Sequence, residues 1–334
     1  IGINASGKTT ILKLISFAIG LLNNEPINSI SSKKFLDDLD SKQNMIFTAY
    51  FYHNGIVYKL ETIVGRKRNA IDGNTKFVII DETLWEKEIH KIKTKKRLYD
   101  FNDAQVKIRR NKNEQYLIED VSIIVALNKE QDTNFSLYDM SDFTDHNMLN
   151  FLGQYPKEIL TFLDPGINYL RCKRDGKEFD IRLKFFGKEE IQVNHPRVLN
   201  RYLSSGTIKG LNVFMGAMFA FGKGGYLVVD ELENHFNKEI VSTLIRLFMD
   251  KNVNRSGAVL VYSTHYSELL DHFDRNDSIY IVKNEEGIFA TKLSELLKRN
   301  DMKKSEVYDS DFLGGTVPSY ESYIALKKVL MTME

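Results

Sequence analysis

The sequence has little that would tie it to a membrane or to a disulfide-stabilised fold. It contains one cysteine, Cys172, so no internal disulfide can form, and a reducing cytosol suits such a chain. Its longest apolar-rich stretch, residues 211–221, is shorter than the roughly 20 residues that a membrane-spanning helix needs. We see no targeting peptide, internal repeat or sustained heptad pattern. These absences favour a cytoplasmic protein without a membrane partner or a long coiled-coil arm.

The length of 334 residues suits one large domain or two ordinary ones, and the net charge of +1 carries no information about partners. Charge is nevertheless uneven, because residues 66–112 hold 14 Lys and Arg against 7 Asp and Glu, a local +7. The basic clusters in this stretch are residues 66–68, 95–97 and 109–110. They could contact the phosphates of DNA, or they could form a solvated helical surface. Aromatic residues are few there (Trp85, Tyr99 and Phe101, besides Phe77), so the stretch itself does not indicate base stacking on single strands.

A phosphate-binding loop pattern opens the chain. Residues Gly2 to Thr9 read Gly-Ile-Asn-Ala-Ser-Gly-Lys-Thr and match G-x-x-x-x-G-K-[ST] at every defined position. In such a loop, backbone N–H groups surround the α- and β-phosphates, Lys8 reaches the β- and γ-phosphates, and Thr9 holds Mg²⁺. The residues expected to contact nucleotide are Asn4, Ala5, Ser6, Gly7, Lys8, Thr9 and Thr10. Only Ile1 precedes Gly2, so we expect the strand that leads into the loop to lie before this sequence.

Two further motifs follow apolar strand patterns. The segment Tyr226 to Val229 reads as a buried strand that ends in Asp230 and Glu231. Asp230 would act on Mg²⁺, and Glu231 would orient and polarise the attacking water. His265 follows the next predicted strand, Ala258 to Tyr262, and comes 34 residues after Glu231. It would therefore lie on the neighbouring strand at the same sheet edge, where it can hydrogen-bond the γ-phosphate and the attacking water.

The segment Leu203-Ser204-Ser205-Gly206-Thr207 opens a predicted helix near residues 206–221. Ser204, Ser205 and Gly206 could present that helix N-terminus to an anion. Taken alone, the same segment could be a plain serine N-cap. It lies about 20 residues before Asp230, with one apolar helix in between.

The remaining pattern predicts an α/β protein with a buried parallel sheet. A helix near 238–250, a short strand over 279–282 and a terminal helix from about Tyr320 complete the C-terminal part. Residues 45–64 predict a β-hairpin with an Asn54-Gly55 turn, and residues 179–185 predict another strand. Residues 87–110 are expected to include helix.

Together the motifs resemble an ABC-type ATPase head. The loop 2–9, Leu-Ser-Ser-Gly-Thr and Val-Val-Asp-Glu-Leu-Glu-Asn look like the OLD-like branch of stand-alone bacterial ATPases labelled AAA15 and AAA21. The likeness covers residues 1–22 and about 200–275 best. It implies an ABC-type P-loop NTPase fold with a mostly parallel core sheet, an antiparallel β subdomain and a helical insertion. The implied lobes of this single domain are 1–64, 65–200 and 201–334.

Many members of that branch are the ATPase half of anti-phage systems, such as retron-associated, Septu-like and PARIS-like pairs. The resemblance implies a head-to-tail homodimer with two ATP molecules between the subunits, and Mg²⁺ as the metal. Lys8, Thr9, Asp230, Glu231 and His265 would come from one subunit, and Ser204 and Gly206 from the other. A toxin or nuclease encoded nearby would be the partner effector.

Two other functions remain open. A RecF-like repair ATPase would use the basic stretch 66–112 to bind DNA, in a salt-dependent manner. A scaffold would bind ATP without hydrolysing it, although the Asp230-Glu231 pair and His265 argue against that. The residue Thr207, where many relatives have Gln, weakens a transporter interpretation.

Overall fold

Two units divide the chain, and each is described by itself. The structure, a computed structural model, describes residues 1–37, 43–68, 75–110, 117–131, 135–141, 148–176, 178–299, 301–317 and 320–332. One unit comprises Lys13–Leu137, and the other comprises Ile1–Leu12 with Tyr138–Glu334. The boundary falls inside the first helix, α1 (Lys8–Leu22).

A four-stranded antiparallel sheet forms the unit Lys13–Leu137. Its strands lie in the order β1-β2-β3-β4 and are β1 (Met45–His53), β2 (Ile56–Arg68), β3 (Thr75–Glu88) and β4 (Gln105–Arg109). The turn between β1 and β2 is Asn54-Gly55, with φ values of 47° and 82°. Two consecutive positive φ angles are what a tight hairpin turn requires, so the predicted hairpin is confirmed.

One face of this sheet is covered by helices. Phe17 and Leu21 of α1 pack with Val64 and Ile79 of the sheet, and Phe17 stacks on Phe47 at 4.9 Å between ring centroids. A second cluster joins buried sheet residues to α3 (Ile124–Gln131). The other helical elements of this unit are α2 (Lys95–Leu98) and short 3₁₀ turns over Ile27–Ser29, Ser31–Leu36 and Ile89–Lys91.

A buried carboxylate, that of Glu82, connects β3 to its neighbours. It accepts hydrogen bonds from Thr62 Oγ1 at 2.6 Å, from Ser122 Oγ at 2.7 Å and from the N–H of Ile123 at 2.7 Å. Burial raises the pKa of the Glu82 carboxyl, and the three hydrogen bonds and Arg110 oppose that shift. The carboxyl therefore acts as a structural acceptor in this unit.

Three sheets are found among the described residues of the unit that comprises Ile1–Leu12 and Tyr138–Glu334. Its strands are β5 (Leu137–Met140), β6 (Gly153–Gln154), β7 (Ile167–Asp175), β8 (Glu178–Phe185), β9 (Glu190–Val193), β10 (Tyr226–Val229), β11 (Val259–Tyr262), β12 (Tyr280–Asn284) and β13 (Ile288–Lys292). One sheet has the order β11-β10-β5, one is the antiparallel β6-β7-β8-β9, and β12 pairs with β13 as a hairpin. The strands β10 and β11 run parallel, with Tyr226 opposite Val259.

The helices of this unit are α4 (Lys157–Leu163), α5 (Ser205–Lys223), α6 (Lys238–Met249), α7 (Leu293–Leu296), α8 (Lys304–Asp309) and α9 (Tyr320–Met331). Two 3₁₀ turns cover Pro196–Arg201 and Ser267–His272. Buried residues of α5 contribute to both large core clusters: Ile208 and Leu211 pack with β7 and β8, and Val213 packs with β10 and α6. Because α5 is packed on both sides, its N-terminus is held firmly relative to the end of β10.

Most expected elements of the C-terminal part are present, including the helices α5, α6 and α9 and the strands β10, β11 and β12. In the sheet β11-β10-β5, the pairing with a described register, β10–β11, is parallel, as expected for the core sheet. The sheets β1-β2-β3-β4 and β6-β7-β8-β9 are antiparallel, as expected for a β subdomain. The described part of residues 65–200 contains the strands β3 to β9 and the short helices α2, α3 and α4, so strand predominates there and the expected helical insertion is limited to these short helices. The expected helix in 87–110 is one turn, Lys95–Leu98, capped by Thr94.

Candidate nucleotide-binding site

The loop that follows Ile1 is joined to β12. The N–H of Ile1 donates to the Tyr280 carbonyl at 2.9 Å, and the N–H of Val282 donates to the Ile1 carbonyl at 2.8 Å. These two bonds flank Ile281 on the partner strand, which is the pattern of a parallel ladder. The chain therefore enters the loop in a strand-like pairing, as phosphate-binding loops require.

Both glycines of the loop occupy places that admit no side chain. A Cβ on Gly2 would lie 2.4 Å from the Val282 carbonyl oxygen. Gly7 has a φ of 96°, and a Cβ there would lie 2.6 Å from Cδ1 of Ile288. Between them, Ala5 also has a positive φ, 61°, so the backbone curls tightly before α1 begins at Lys8. The first N–H groups of α1 have no partner within the helix, and they face the turn that precedes it.

The Lys8 ammonium is folded onto this loop. Its Nζ donates to the carbonyls of Gly2 and Ile3, at 2.9 Å each, and the residue is 8% exposed. Burial lowers the pKa of Lys8, while the nearby charges of Asp230, Glu231 and Glu233 oppose that shift. A buried cation placed among loop carbonyls would gain from an anionic partner, as a phosphate would supply.

The carboxylate of Asp230 lies at the end of β10, beside the first turn of α1. Thr9 Oγ1 donates to Asp230 Oδ2 at 2.5 Å, and Ser263 Oγ donates to Asp230 Oδ1. Hydroxyl and carboxylate oxygens are the donors that Mg²⁺ prefers. Within the described ranges, no group of three or more His, Cys, Asp and Glu side chains could hold a metal. Mg²⁺ commonly binds through one or two protein oxygens together with phosphate oxygens and water, so this pair fits the ion.

Glu231 has an uncommon backbone conformation, with φ at +44°. Both of its backbone polar groups are held. Its N–H donates to Ser263 Oγ at 2.8 Å, and its carbonyl accepts from Lys209 Nζ at 2.7 Å. Lys209 is 3% exposed and also donates to the Asn234 carbonyl at 3.1 Å. These contacts stabilise the backbone turn at Glu231, whose side chain is half exposed.

His265 lies at the end of β11, next to that carboxylate. Its Nε2 is 3.7 Å from Glu231 Oε1, with 31% and 50% of the two side chains exposed. The N–H of His265 donates to Glu233 Oε1 at 2.6 Å. Glu233 is buried, and its other oxygen, Oε2, has no hydrogen-bond partner in the part of the chain that the structure describes. Glu233 thus ties the segment after β11 to the segment after β10.

The segment Ser204 to Gly206 forms the N-terminus of α5. Ser204 Oγ accepts from the N–H of Thr207 at 3.0 Å, which is an N-cap. A Cβ on Gly206 would lie 2.4 Å from the His235 carbonyl oxygen, and Ser205 Oγ is 3.2 Å from His235 Nδ1. The described contacts therefore bring Ser205 and Gly206 to the segment after β10, and none of them joins Ser204–Gly206 to the loop 2–9.

The sequence motifs predicted five site residues, and the structure places their side chains together: Lys8, Thr9, Asp230, Glu231 and His265. The motifs missed Lys209, Glu233 and Ser263, which contact members of this group, and His235, which contacts Ser205. Weak signals for these residues existed. Glu233 belongs to the Asp-Glu-Leu-Glu run, Ser263 precedes His265 by two residues, and Lys209 lies one helical turn after Ser205.

Comparison with known proteins gives one family. The sequence model of AAA_21, described as "AAA domain, putative AbiEii toxin, Type IV TA system", matches residues 1–271. No curated protein matches the chain. Across the described residues, each helix is too short or too polar to pass through a bilayer.

Proposed function

The chain belongs to the AAA_21 family of P-loop ATPases, and from that premise we propose that it is an ABC-type ATPase that dimerises around ATP. We further propose that it acts in the cytoplasm and that its nucleotide state controls a partner effector. The observation that carries the proposal is the meeting of three chain segments at one place. The loop 2–9, the end of β10 and the end of β11 bring a lysine, a metal-binding oxygen pair and a carboxylate–imidazole pair together.

The residues suggest how hydrolysis would proceed. The loop amides and Lys8 would hold the phosphates and stabilise the charge that develops on the γ-phosphoryl group. Thr9 and Asp230 would hold Mg²⁺, which supplies neutralisation of phosphate charge when bound. Glu231 would accept a proton from the attacking water as the new O–P bond forms and the bond to the β–γ bridging oxygen breaks. The products are ADP and inorganic phosphate, and His265 would orient the same water and the γ-phosphate.

A second subunit would complete the site. The N-terminus of α5 lies at Ser204, Ser205 and Gly206, and the positive end of a helix dipole attracts anions. Since the described contacts do not join this end to the loop of its own chain, it would meet the γ-phosphate of a partner subunit. ATP would then favour association, and hydrolysis would release it.

The family description suggests the biological setting. Its words name a toxin and a toxin–antitoxin system, so we propose that the ATPase works in an anti-phage or abortive-infection pair. In that setting the assembly state of the ATPase would control a toxin or nuclease.

Steady-state phosphate release tests the catalytic assignment. Glu231→Gln should lower turnover by about 100-fold or more, because it removes the general base. Lys8→Ala should abolish ATP binding in equilibrium dialysis. Glu321→Gln, an exposed glutamate in α9, is the matched control and should keep wild-type turnover. If Glu231→Gln hydrolyses ATP at the rate of the wild-type protein, the catalytic assignment is wrong. If the wild-type protein binds ATP but does not hydrolyse it, the scaffold function is favoured.

Light scattering with and without ATP and Mg²⁺ tests the dimer. The particle should grow with ATP, and growth should persist longer in Glu231→Gln because the nucleotide is not consumed. A particle whose size does not respond to ATP in either protein would exclude ATP-dependent association.

A further inference from the structure

Among the described residues of the unit Lys13–Leu137, the helices α1 and α3 pack on one face of the four-stranded sheet, and the opposite face is the outer one. Alternate residues of its strands are buried beneath helices, whereas the residues between them line up across the outer face. One row runs through all four strands as Tyr50, Lys59, Trp85 and Val106. Strand neighbours are about 4.8 Å apart, so the Tyr50 and Trp85 backbones are separated by about 10 Å, with Lys59 between them.

Further aromatic rings surround the start of this row. Tyr50 meets Tyr99 edge-on at 5.2 Å between ring centroids, and it lies 5.8 Å from Phe101. Tyr50 is 41% exposed and Tyr99 50%, and Tyr52, two residues along β1, is 59% exposed. Aromatic side chains of this size are normally buried or half-buried, so a contiguous exposed group of them marks an interaction surface.

Cations are placed among these rings. Lys59 Nζ lies 4.6 Å from the centroid of the Trp85 ring, and it also pairs with Glu61 at 3.0 Å. Lys87 Nζ lies 4.2 Å from the centroid of the Phe101 ring. Residues 87–110, which border this surface, carry 9 Lys and Arg against 3 Asp and Glu, a local charge of +6. The exposed cluster Lys95–Arg97 is part of that charge and precedes Tyr99 by two residues.

We propose that this surface binds a single-stranded nucleic acid. The surface, called here the aromatic face, comprises Tyr50, Tyr52, Lys59, Trp85, Lys87, Tyr99 and Phe101. Exposed rings on a four-stranded antiparallel sheet can stack successive bases, and interspersed cations pair with the phosphates between them. A purely apolar partner would not match the local charge of +6 over residues 87–110, whereas a nucleic acid strand offers bases to the rings and phosphates to the cations.

The grouping of these aromatic side chains on one surface is visible only in the tertiary structure. Along the sequence, the stretch 66–112 is basic and contains few aromatics, and base stacking was not expected. The fold adds Tyr50 and Tyr52 from β1 and brings them beside Trp85, Tyr99 and Phe101. The DNA contact that the basic stretch suggested would therefore involve unpaired bases as well as phosphates.

Titration with unlabelled oligonucleotides tests the proposal directly. The full chain has a single tryptophan, Trp85, so its intrinsic fluorescence reports on this face. Oligo(dT) and oligo(U) should change that fluorescence, and binding should weaken as salt rises. The relative affinities of oligo(dT) and oligo(U) show whether the surface prefers DNA or RNA. A DNA duplex of the same length should bind more weakly than either single strand.

Variants locate the binding surface by fluorescence anisotropy. Tyr50→Ala and Tyr99→Ala should each weaken single-strand affinity by about tenfold, the effect of losing one stacked base. Tyr323→Ala, an equally exposed tyrosine on α9, should leave affinity unchanged. Lys8→Ala should also leave affinity unchanged, so the result does not depend on nucleotide binding at the loop. Two tyrosines are tested because Tyr99 lies outside the sheet and its loss should not affect folding.

Three outcomes would overturn the proposal: no single-strand binding at low salt, affinity that neither Tyr50→Ala nor Tyr99→Ala reduces, and duplex binding as tight as single-strand binding. Size measured against protein concentration adds a fourth. If the chain self-associates without nucleic acid and Tyr50→Ala prevents it, the aromatic face is an interface between two copies of the chain.

Discussion

Replacing Lys209 with methionine should lower the ATPase activity of this protein more than its stability. Lys209 is buried in α5, and its Nζ donates to the carbonyls of Glu231 and Asn234. Lys209→Met keeps most of the side-chain volume and the helix propensity but removes the ammonium. The carbonyl of Glu231, a residue with φ at +44°, then loses one of its two donors and keeps the N–H of Asn234 at 2.9 Å.

The stability effect follows from two opposing contributions. Hydrogen bonds from a charged donor contribute about 1.5–3 kcal/mol each, so two of them contribute about 3–6 kcal/mol. Burial lowers the pKa of Lys209 from 10.5 to about 8, and the nearby charges of Glu233, Glu231 and Asp230 oppose that shift. That difference corresponds to about 3 kcal/mol of destabilisation of the charged form at neutral pH. The net change in the free energy of unfolding should therefore be small, about 3 kcal/mol at most.

Activity should respond differently. The Glu231 carboxylate can act as a general base only where its backbone holds it, and a misplaced base loses much of its effect. We expect ATP turnover in Lys209→Met to fall by about tenfold or more, with little change in ATP binding. Phosphate release and thermal unfolding, measured on the same preparations, give both quantities. Lys223→Met, an exposed lysine at the other end of α5, is the matched control and should change neither.

The pH dependence gives an independent check. The folded-state pKa of Lys209 is depressed, so the unfolded chain keeps this proton between about pH 8 and 10.5 while the folded chain releases it. The stability contributed by this group is therefore present in full above pH 10.5 and is lost as pH falls through 8. Wild type should gain stability relative to Lys209→Met as pH rises from 8 to 10. A difference that does not change with pH, or unaltered turnover in the variant, would refute the reasoning.

Two further predictions concern packing. Gly206→Ala places a Cβ 2.4 Å from the His235 carbonyl oxygen, so it should lower the thermal unfolding midpoint, at a cost of about 1–3 kcal/mol. Gly222→Ala on the same helix meets open space and should raise the midpoint slightly. Equal midpoints for the two variants would contradict this prediction, because they would show that the α5 N-terminus relaxes around the added methyl group. Glu82→Ala leaves two hydroxyls and one N–H without their acceptor and should lower stability to urea by about 3 kcal/mol. Glu82→Gln should cost less, because it keeps an acceptor oxygen and avoids burial of a charge; a Glu82→Gln as unstable as Glu82→Ala would contradict this account.

The nucleotide-contacting residues were predictable because each lies in a short motif whose meaning is local. Gly2 to Thr9 form one turn and the start of one helix, and Asp230 and Glu231 directly follow an apolar strand. Parallel strands place their carboxyl ends at one edge of a sheet, so His265 could be placed beside Glu231 from strand order alone. The hairpin was equally local, since Asn54-Gly55 determines its own turn.

Secondary structure was harder to predict from the sequence in the middle of the chain. Residues of β3 and β4 show no clear alternation, because charged and aromatic side chains share the sheet face that is not buried. We expected helix within residues 87–110, and β4 forms there instead because β3 supplies the hydrogen bonds of a ladder. Local propensity is a weak guide when pairing partners lie far along the chain.

By itself, the sequence determined the phosphate-binding loop, the strand-borne carboxylates and the order of elements around them. Tertiary structure alone decided which side chains support Glu231 and which surround Tyr50. Lys209 and Ser263 reach the Glu231 backbone from 22 and 32 residues away, and Tyr99 reaches Tyr50 across 49. Such contacts depend on how helices and strands pack, and the residues that make them carry no local pattern.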